Sequence, residues 1–126
     1  NRLDGKYIQQ FKKGSMEMVL LCLIAQKETY GYEILSALNR YGGDMFGSAK
    51  EGTVYPILYR LQNTGLIQCR FASSKANGSM KKYYSLTPAG EQTLRELVDF
   101  WDRYVDCVNG FRNLWIEKGK EEEDLR

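Results

Sequence analysis

The chain has 126 residues, of which 43% are hydrophobic, and its formal net charge is +2. Histidine is absent and the three cysteines never form a CxxC pair, which argues against histidine-based catalysis, a zinc site or a disulfide framework. No apolar run reaches the roughly 18 residues that a membrane-spanning helix needs. We therefore expect a single cytoplasmic domain without a metal, a cofactor or a membrane partner, and not an enzyme.

The N-terminal part of the sequence predicts three helices. Apolar residues at helical spacing indicate a first helix over residues 3–13, and Gly14 followed by Ser15 is typical of a helix end and a new N-cap. The second helix is predicted by an apolar stripe at helical spacing: Met16, Val19, Leu20, Leu23 and Ile24. The third is predicted over residues 32–41, with Gly31 as the tight turn before it and the glycine-rich "GGDMFGS" as the turn after it.

The segment "EGTVYPILYRLQNTGLI", residues 51–67, predicts a fourth helix although it contains a proline. Its core face consists of apolar residues at helical spacing, Val54, Leu58 and Leu61. Proline costs little in the first turn, where backbone N–H groups have no partner within the helix, so we expect Pro56 there. The helix would start near residue 52, with Ser48 or Thr53 as its cap, and end at Gly65.

Two short segments rich in β-formers follow, "LIQCRFA" and "MKKYYSL", with "SSKANGS" between them. The Asn-Gly pair in the connection predicts a β-hairpin. In the next segment, "TPAGE", we expect Thr87 to cap a final helix and Pro88 to lie in its first turn.

The final helix carries apolar residues that alternate spacings of three and four over three heptads. The heptad positions are Leu94, Leu97, Trp101, Tyr104, Val108, Phe111 and Trp115, and the stripe is widened by Val98, Val105 and Leu114. A small domain cannot cover this much aromatic surface, so we expect a partner helix from an identical subunit. The alternative is a helix packed lengthwise on its own domain.

Charge is distributed unevenly along the chain. Residues 51–87 contain five Lys or Arg and one acid, whereas residues 88–126 contain six Lys or Arg and ten acids. The absence of acids from residue 52 to residue 90 favours a surface that meets a polyanion. After the N-terminal helix, the predicted order is three helices, a hairpin and a long helix. This is the order of a winged helix-turn-helix, in which one helix enters the major groove of DNA and the hairpin reaches the flanking backbone.

We therefore predict an α+β fold, mostly α: a winged helix-turn-helix with an N-terminal helix and a long C-terminal dimerisation helix. Residues 1–87 would form the DNA-binding domain and residues 88–126 the dimerisation helix, within the same compact unit. The predicted partner is double-stranded DNA. Its candidate contacts lie on the fourth helix and in the wing: Lys50, Thr53, Tyr55, Tyr59, Arg60, Lys75, Lys81 and Lys82.

Each candidate contact also has a plainer interpretation. The tyrosines could pack on a neighbouring helix, and the lysines could be ordinary solvated side chains. Four further tyrosines are expected to pack and to orient the wing rather than to contact DNA: Tyr30, Tyr32, Tyr83 and Tyr84. The competing function is a winged-helix module that binds another protein and no DNA.

Three blocks resemble the PadR family of bacterial transcriptional regulators: "LLCLIAQKETYGYEILSALN", "EGTVYPILYRLQNTGLI" and "KKYYSLTPAG". With the long aromatic C-terminal helix, the resemblance covers nearly the whole chain, and the blocks are specific in combination. Two places depart from the family's usual pattern. Gln62 stands where Glu is common, and "SMKK" stands where Pro-Arg often precedes the paired wing tyrosines, although Lys81 and Lys82 keep the positive charge.

The resemblance implies a homodimeric repressor that binds a palindromic operator and is released by an effector. In some short relatives of this type, a tryptophan on the C-terminal helix stacks on a flat aromatic compound at the dimer interface, and Trp101 is at the matching position. The dimer and effector residues would be Leu94, Leu97, Trp101, Tyr104, Val105, Val108 and Phe111. The alternative role of Trp101 is packing within the interface.

Overall fold

The computed structural model describes residues 3–73 and 78–126, and in these residues it contains four helices and a three-stranded antiparallel sheet. The elements are α1 (Gly5–Gln26), β1 (Thr29–Tyr30), α2 (Gly31–Phe46), α3 (Glu51–Asn63), β2 (Ile67–Ser73), β3 (Met80–Leu86) and α4 (Pro88–Asp124). The strand order is β1-β3-β2. This architecture confirms the predicted fold class. None of the described helices is long and apolar enough to cross a membrane.

The predicted break in the first helix is wrong, because α1 is one continuous helix of 22 residues. Gly14 lies in its middle with open space around it. The Ser15 hydroxyl donates to the Phe11 carbonyl at 3.4 Å and the Lys12 carbonyl at 3.3 Å, so it bonds back to the preceding turn and caps no new helix. The actual cap is Asp4, whose carboxylate accepts from the Lys6 amide at 3.0 Å.

The second helix of the structure, α2, extends further in both directions than the sequence predicts. It already includes Gly31 as its first residue, so this glycine is not a turn before the helix. It also continues to Phe46 across a kink at Gly43, whose φ of 50° and ψ of −126° fall outside the helical region. The predicted glycine-rich turn is therefore a kink within the helix. The short strand β1 was not predicted, and it pairs Thr29 with Tyr84 of β3.

The start of α3 differs from the prediction, whereas its end agrees. The N-cap residue is Lys50, which makes no side-chain cap hydrogen bond, so the proposed caps Ser48 and Thr53 are wrong. Pro56 is then the sixth helical residue and not part of the first turn. At the other end, Gly65 has a φ of 79° and donates to the Gln62 carbonyl at 3.0 Å, as in a Schellman motif.

The proline is accommodated in the second turn because it lies on an exposed side of α3. A proline there has no N–H to donate to the Gly52 carbonyl four residues earlier. Gly52 is exposed too, so water can reach that carbonyl. The helix therefore tolerates Pro56 at a position where a buried proline would leave an unsatisfied acceptor.

The predicted hairpin and the predicted core face of α3 are confirmed. Strands β2 and β3 pair antiparallel from Ile67 opposite Leu86 to Ser73 opposite Met80. The buried apolar side chains come from three helices and two strands: Met16, Leu20, Leu21, Ile24, Ile34, Leu38, Val54, Leu58, Leu61, Ile67 and Tyr84. Each fully buried Leu or Ile stabilises the fold by about 1.5–3 kcal/mol relative to an exposed one.

The start of α4 is fixed against the turn that follows α3. As predicted, Thr87 caps the helix: its hydroxyl accepts from the Gly90 amide at 3.0 Å, and Pro88 is the first helical residue. The Thr87 amide also donates to the Leu66 carbonyl at 3.1 Å. Gly90 is buried directly against that same carbonyl and against the Leu86 side chain. The position has no room for a side chain.

The chain divides into two compact units, one that ends at Leu94 and one that comprises Arg95–Arg126. The first unit holds the sheet, α1 to α3 and the first turns of α4. The second unit is the remainder of α4, a single helix. The functional division expected between residues 87 and 88 stays a prediction.

Replacing Gly90 with alanine is expected to destabilise the fold by about 1–3 kcal/mol, because the new Cβ would collide with the Leu66 carbonyl. The matched control is Gly110→Ala in the same helix, where nothing lies within 4 Å of an added Cβ. There we expect stabilisation of up to about 1 kcal/mol, because alanine has the higher helix propensity. Urea denaturation followed by circular dichroism measures both changes. Equal effects at the two glycines would contradict this packing argument.

Candidate nucleic-acid interface

The exposed side of α3 has two flanks that line two different clefts. Tyr55 and Tyr59, four residues apart, line a cleft shared with the N-terminus of α2 and with β3. Thr53 and Arg60 line a second cleft, shared with the N-terminal half of α1. Because a helix turns by about 100° per residue, these pairs lie on opposite sides of the exposed ridge that contains Pro56. The candidate contacts on α3 are thus divided between its two flanks.

The first cleft, which we call the wing cleft, has a volume of about 570 Å³. It is lined by Tyr30, Gly31, Tyr32, Tyr55, Tyr59, Met80, Lys81, Lys82 and Tyr84. The structure therefore brings together two tyrosines of α3 and two lysines of β3 that the sequence proposed separately. Lys75, another proposed contact, lies outside the described residues.

Tyr55 is held against the start of α2 and still reaches solvent. A Cβ added to Gly31 would lie 2.7 Å from Cε1 and 2.9 Å from Cζ of the Tyr55 ring, so only glycine permits this contact. The Tyr55 side chain remains 40% exposed, whereas Tyr59 is 66% exposed. Burial, followed by the charge of Glu51 and then by Tyr84, raises the pKa of Tyr55. Its hydroxyl stays protonated and can donate a hydrogen bond.

The wing lysines rest on tyrosine rings. The Lys81 Nζ atom lies 5.3 Å from the centroid of the Tyr30 ring, and the Lys82 Nζ atom lies 5.4 Å from that of Tyr84. An ammonium group has three N–H donors, so a cation–π contact of this kind leaves donors free for another partner. Both lysines can therefore be oriented by the sheet and still donate to a phosphate.

An ion pair that the sequence did not indicate braces the base of the wing. Arg70 of β2 donates from Nε to Glu28 at 2.6 Å, and its Nη2 makes a second, shorter hydrogen bond to the same carboxylate. These bonds lower the pKa of Glu28, opposed in part by its burial. The Arg70 guanidinium lies 5.4 Å from the Tyr83 ring, which meets Tyr30 edge-on at 5.5 Å. The expected wing-orienting role of Tyr30 and Tyr83 fits this contact chain.

The contact of Glu28 with the wing could not be predicted from the sequence, because Glu28 lies outside the acid-free segment and meets Arg70 only in the folded chain. The same holds for Glu17 of α1, whose Oε2 atom lies 3.4 Å from Nη2 of Arg60. Both partners of this second pair are exposed, so its contribution to stability is small, about 0–1 kcal/mol. Lys50 and Thr53 lie beside this flank at the start of α3, and both are exposed.

The second unit presents a separate apolar surface. Leu97 and Val105 are partly buried, whereas five heptad side chains are exposed: Trp101, Tyr104, Val108, Phe111 and Trp115. Phe100 adds to this surface by stacking on Tyr104, with ring centroids 5.7 Å apart and an interplanar angle of 20°. Phe100, which precedes Trp101 in the chain, is not one of the predicted heptad residues.

Comparison with known proteins supports the same class. The profile of the transcriptional regulator PadR-like family matches residues 20–96. A solved PadR-like transcriptional regulator of Bacillus cereus is 36% identical, with a TM-score of 0.72, and the match covers 81% of this chain and 95% of that one. A solved Streptococcus transcriptional regulator is 34% identical, again with a TM-score of 0.72, over 82% of this chain and 97% of that one.

Curated relatives also match this chain. An uncharacterised protein of Lysinibacillus sphaericus is 30% identical over 99 residues, which are 79% of this chain and 89% of that protein. The negative transcriptional regulator PadR of Bacillus subtilis is 33% identical over 81 residues, which are 64% of this chain but 43% of that protein.

The fold and these matches define a winged-helix transcriptional regulator. The chain belongs to the PadR-like family, as its three sequence blocks indicated. This is a family of transcriptional regulators and not of enzymes.

Proposed function

We propose that this regulator is a homodimeric repressor that binds double-stranded DNA through α3 and the β2–β3 wing. The observation that carries the proposal is the wing cleft, in which Tyr55 and Tyr59 of α3 lie beside Lys81 and Lys82 of β3. Hydroxyl donors on a helix next to ammonium groups on a hairpin match what a winged helix needs for base edges and for phosphates.

The exposed ridge of α3 is the part that enters the major groove in this proposal. Gly52 and Pro56 give the ridge a low profile, and Tyr59 and Arg60 project on either side of it. Arg60 must exchange its exposed pairing with Glu17 for a base edge or a phosphate, a small cost because surface pairs of this kind are weak. Lys81 and Lys82 supply attraction that does not depend on sequence.

Dimerisation follows from the apolar surface of α4 in this proposal. Phe111 and Trp115 are 70% and 76% exposed in the single chain, and they continue a heptad stripe. Contiguous exposed apolar surface on this scale marks an interface, and a second copy of the same helix is the simplest partner with a matching pattern. A two-fold dimer binds two half-sites, which accounts for a palindromic operator. The negative regulator among its relatives favours repression over activation.

An effector site around Trp101 is the finer part of the proposal. Trp101 is 45% exposed and lies three residues before Tyr104, the next heptad position. Tyr104 in turn stacks on Phe100. Aromatic side chains with free faces accept planar aromatic compounds by offset stacking. A compound held there between two subunits would alter the spacing of the two α3 helices and so release the DNA.

Replacing both wing lysines, Lys81→Gln with Lys82→Gln, is expected to weaken binding to the DNA upstream of the protein's own gene. The slope of log K against log salt should flatten by about 0.9 for each lost phosphate contact. Fluorescence anisotropy over a salt series measures this. The matched control is Lys118→Gln with Lys120→Gln, which removes the same charge from the second unit.

Absence of binding by the folded, dimeric wild type at low salt would refute the proposal and favour the protein-interaction module. Equal losses of affinity in the two double variants would show that net charge matters and the wing does not.

Phe111→Glu is expected to shift the protein from dimer to monomer, since a buried carboxylate at a heptad position costs several kcal/mol in the interface. Sedimentation equilibrium measures the shift. The control Asn109→Glu adds the same charge two residues away, outside the heptad positions, and should leave the dimer intact. A wild type that sediments as a monomer would contradict the dimer.

Planar aromatic compounds that bind beside Trp101 should quench its fluorescence with saturation and lower the affinity for DNA. The variant Trp101→Ala should lose the saturable quenching, whereas Trp115→Ala should keep it, because Trp115 lies two heptads further along the helix. Titration of a panel of such compounds into the dimer tests this. Quenching that persists in Trp101→Ala would place the binding elsewhere.

A further inference from the structure

The N-terminal half of α1 presents its apolar side to solvent and its polar side to α3, which is the reverse of an ordinary amphipathic helix. Its apolar residues Tyr7, Ile8 and Phe11 are all exposed, as is Leu3 just before the helix. Its polar residues on the other side line the second cleft beside α3: Lys6, Gln9, Gln10 and Lys13. An amphipathic helix ordinarily turns its apolar stripe towards its own domain. Here the side that faces α3 is the cationic one, which requires an explanation other than core packing.

The second cleft, which we call the α1 cleft, is open and rich in positive charge. Its volume is about 650 Å³, and the cationic side chains among its lining residues are Lys6, Lys12, Lys13 and Arg60. Glu17 is the one acid among those lining residues, and it is paired with Arg60. A cleft with four cations and one acid attracts an anion.

The position of the α1 cleft favours the phosphate backbone of DNA as this anion. It lies along the Thr53–Arg60 flank of α3, opposite the flank that lines the wing cleft. A duplex that receives the ridge of α3 in its major groove carries a phosphate backbone along each side of that groove. The wing lysines can meet one of these backbones, and the lysines of α1 are placed to meet the other.

We propose that Lys6 and Lys13 of α1 form a second DNA-backbone contact surface, on the side of α3 away from the wing. Lys12 supports it at the edge, where its Nζ atom also lies 5.9 Å from the Phe46 ring. This surface precedes residues 20–96, the part matched by the family profile. The inference rests on the proposed DNA binding. It adds a second set of phosphate contacts, so that the duplex is bound on both flanks of α3.

The test uses the full chain and a labelled mixed-sequence duplex of about 30 bp, long enough for two half-sites. Binding is measured by fluorescence anisotropy over a salt series. We expect Lys6→Gln with Lys13→Gln to weaken binding roughly tenfold and to flatten the salt slope by about 0.9 for each lost contact. Lys6→Arg with Lys13→Arg should keep the wild-type slope, and Lys118→Gln with Lys120→Gln is the charge-matched control.

A second variant acts in the opposite direction, so that misfolding cannot imitate it. Glu17→Gln removes the acid of the α1 cleft and releases Arg60, and binding should become severalfold tighter with a steeper salt slope. Unchanged or weaker binding in this variant would overturn the proposal.

Two further outcomes distinguish failure of the α1 surface from failure of the proposed DNA binding. A wild type that binds with a steep salt slope, together with a Lys6 and Lys13 glutamine variant that keeps that slope, overturns the α1 surface and leaves the proposed DNA binding standing. A wild type that does not bind the duplex at low salt overturns both.

Discussion

The carbonyl of Leu66 is the point on which the arrangement of this domain depends. It directly follows the left-handed Gly65 that ends α3, and it accepts a hydrogen bond from the Thr87 amide at 3.1 Å. The Thr87 hydroxyl donates to the neighbouring Gly65 carbonyl at 2.6 Å. Gly90 packs against the same carbonyl. The end of α3, the start of β2 and the first turn of α4 therefore meet at one backbone group. Any shift there moves α3 and the start of β2 together.

With its end fixed, α3 can carry an unusual sequence on its exposed side. Val54, Leu58 and Leu61 anchor the opposite side in the core, so the ridge need not contribute to stability. Pro56 and Gly52 are poor helix formers and would each weaken an isolated helix by about 1–3 kcal/mol. Core packing offsets this cost, and the result is a ridge with little side-chain bulk between two flanks that carry hydroxyl and guanidinium groups. Poor local propensity at exposed positions is what a functional surface, rather than a structural one, would show.

The sequence predicted most of the fold, and the particular errors have physical reasons. Periodicity located the core face of α3, and turn chemistry located Gly65 and Thr87, because these signals are local. The break at Gly14 was wrong because a glycine followed by a serine is compatible with a helix that tertiary packing supports further along. The role of Gly31 was missed because it depends on Tyr55, which approaches from another element. The acid-free segment likewise gave no sign of Glu28, which joins the wing only through the fold.

The arginines and the lysines near α3 and the wing have different roles, and these roles follow from long-range contacts. Arg70 and Arg60 are each engaged by a carboxylate from α1 or from the segment after it, and the planar guanidinium suits such paired contacts. Lys81 and Lys82 instead rest on tyrosine rings, which orient an ammonium group while leaving its hydrogen-bond donors available. The folded protein thus uses Arg70 to fix the wing and the lysines to present charge. Glu17 and Glu28, although close to a surface proposed to bind DNA, are therefore compatible with that role, because each is already paired with an arginine.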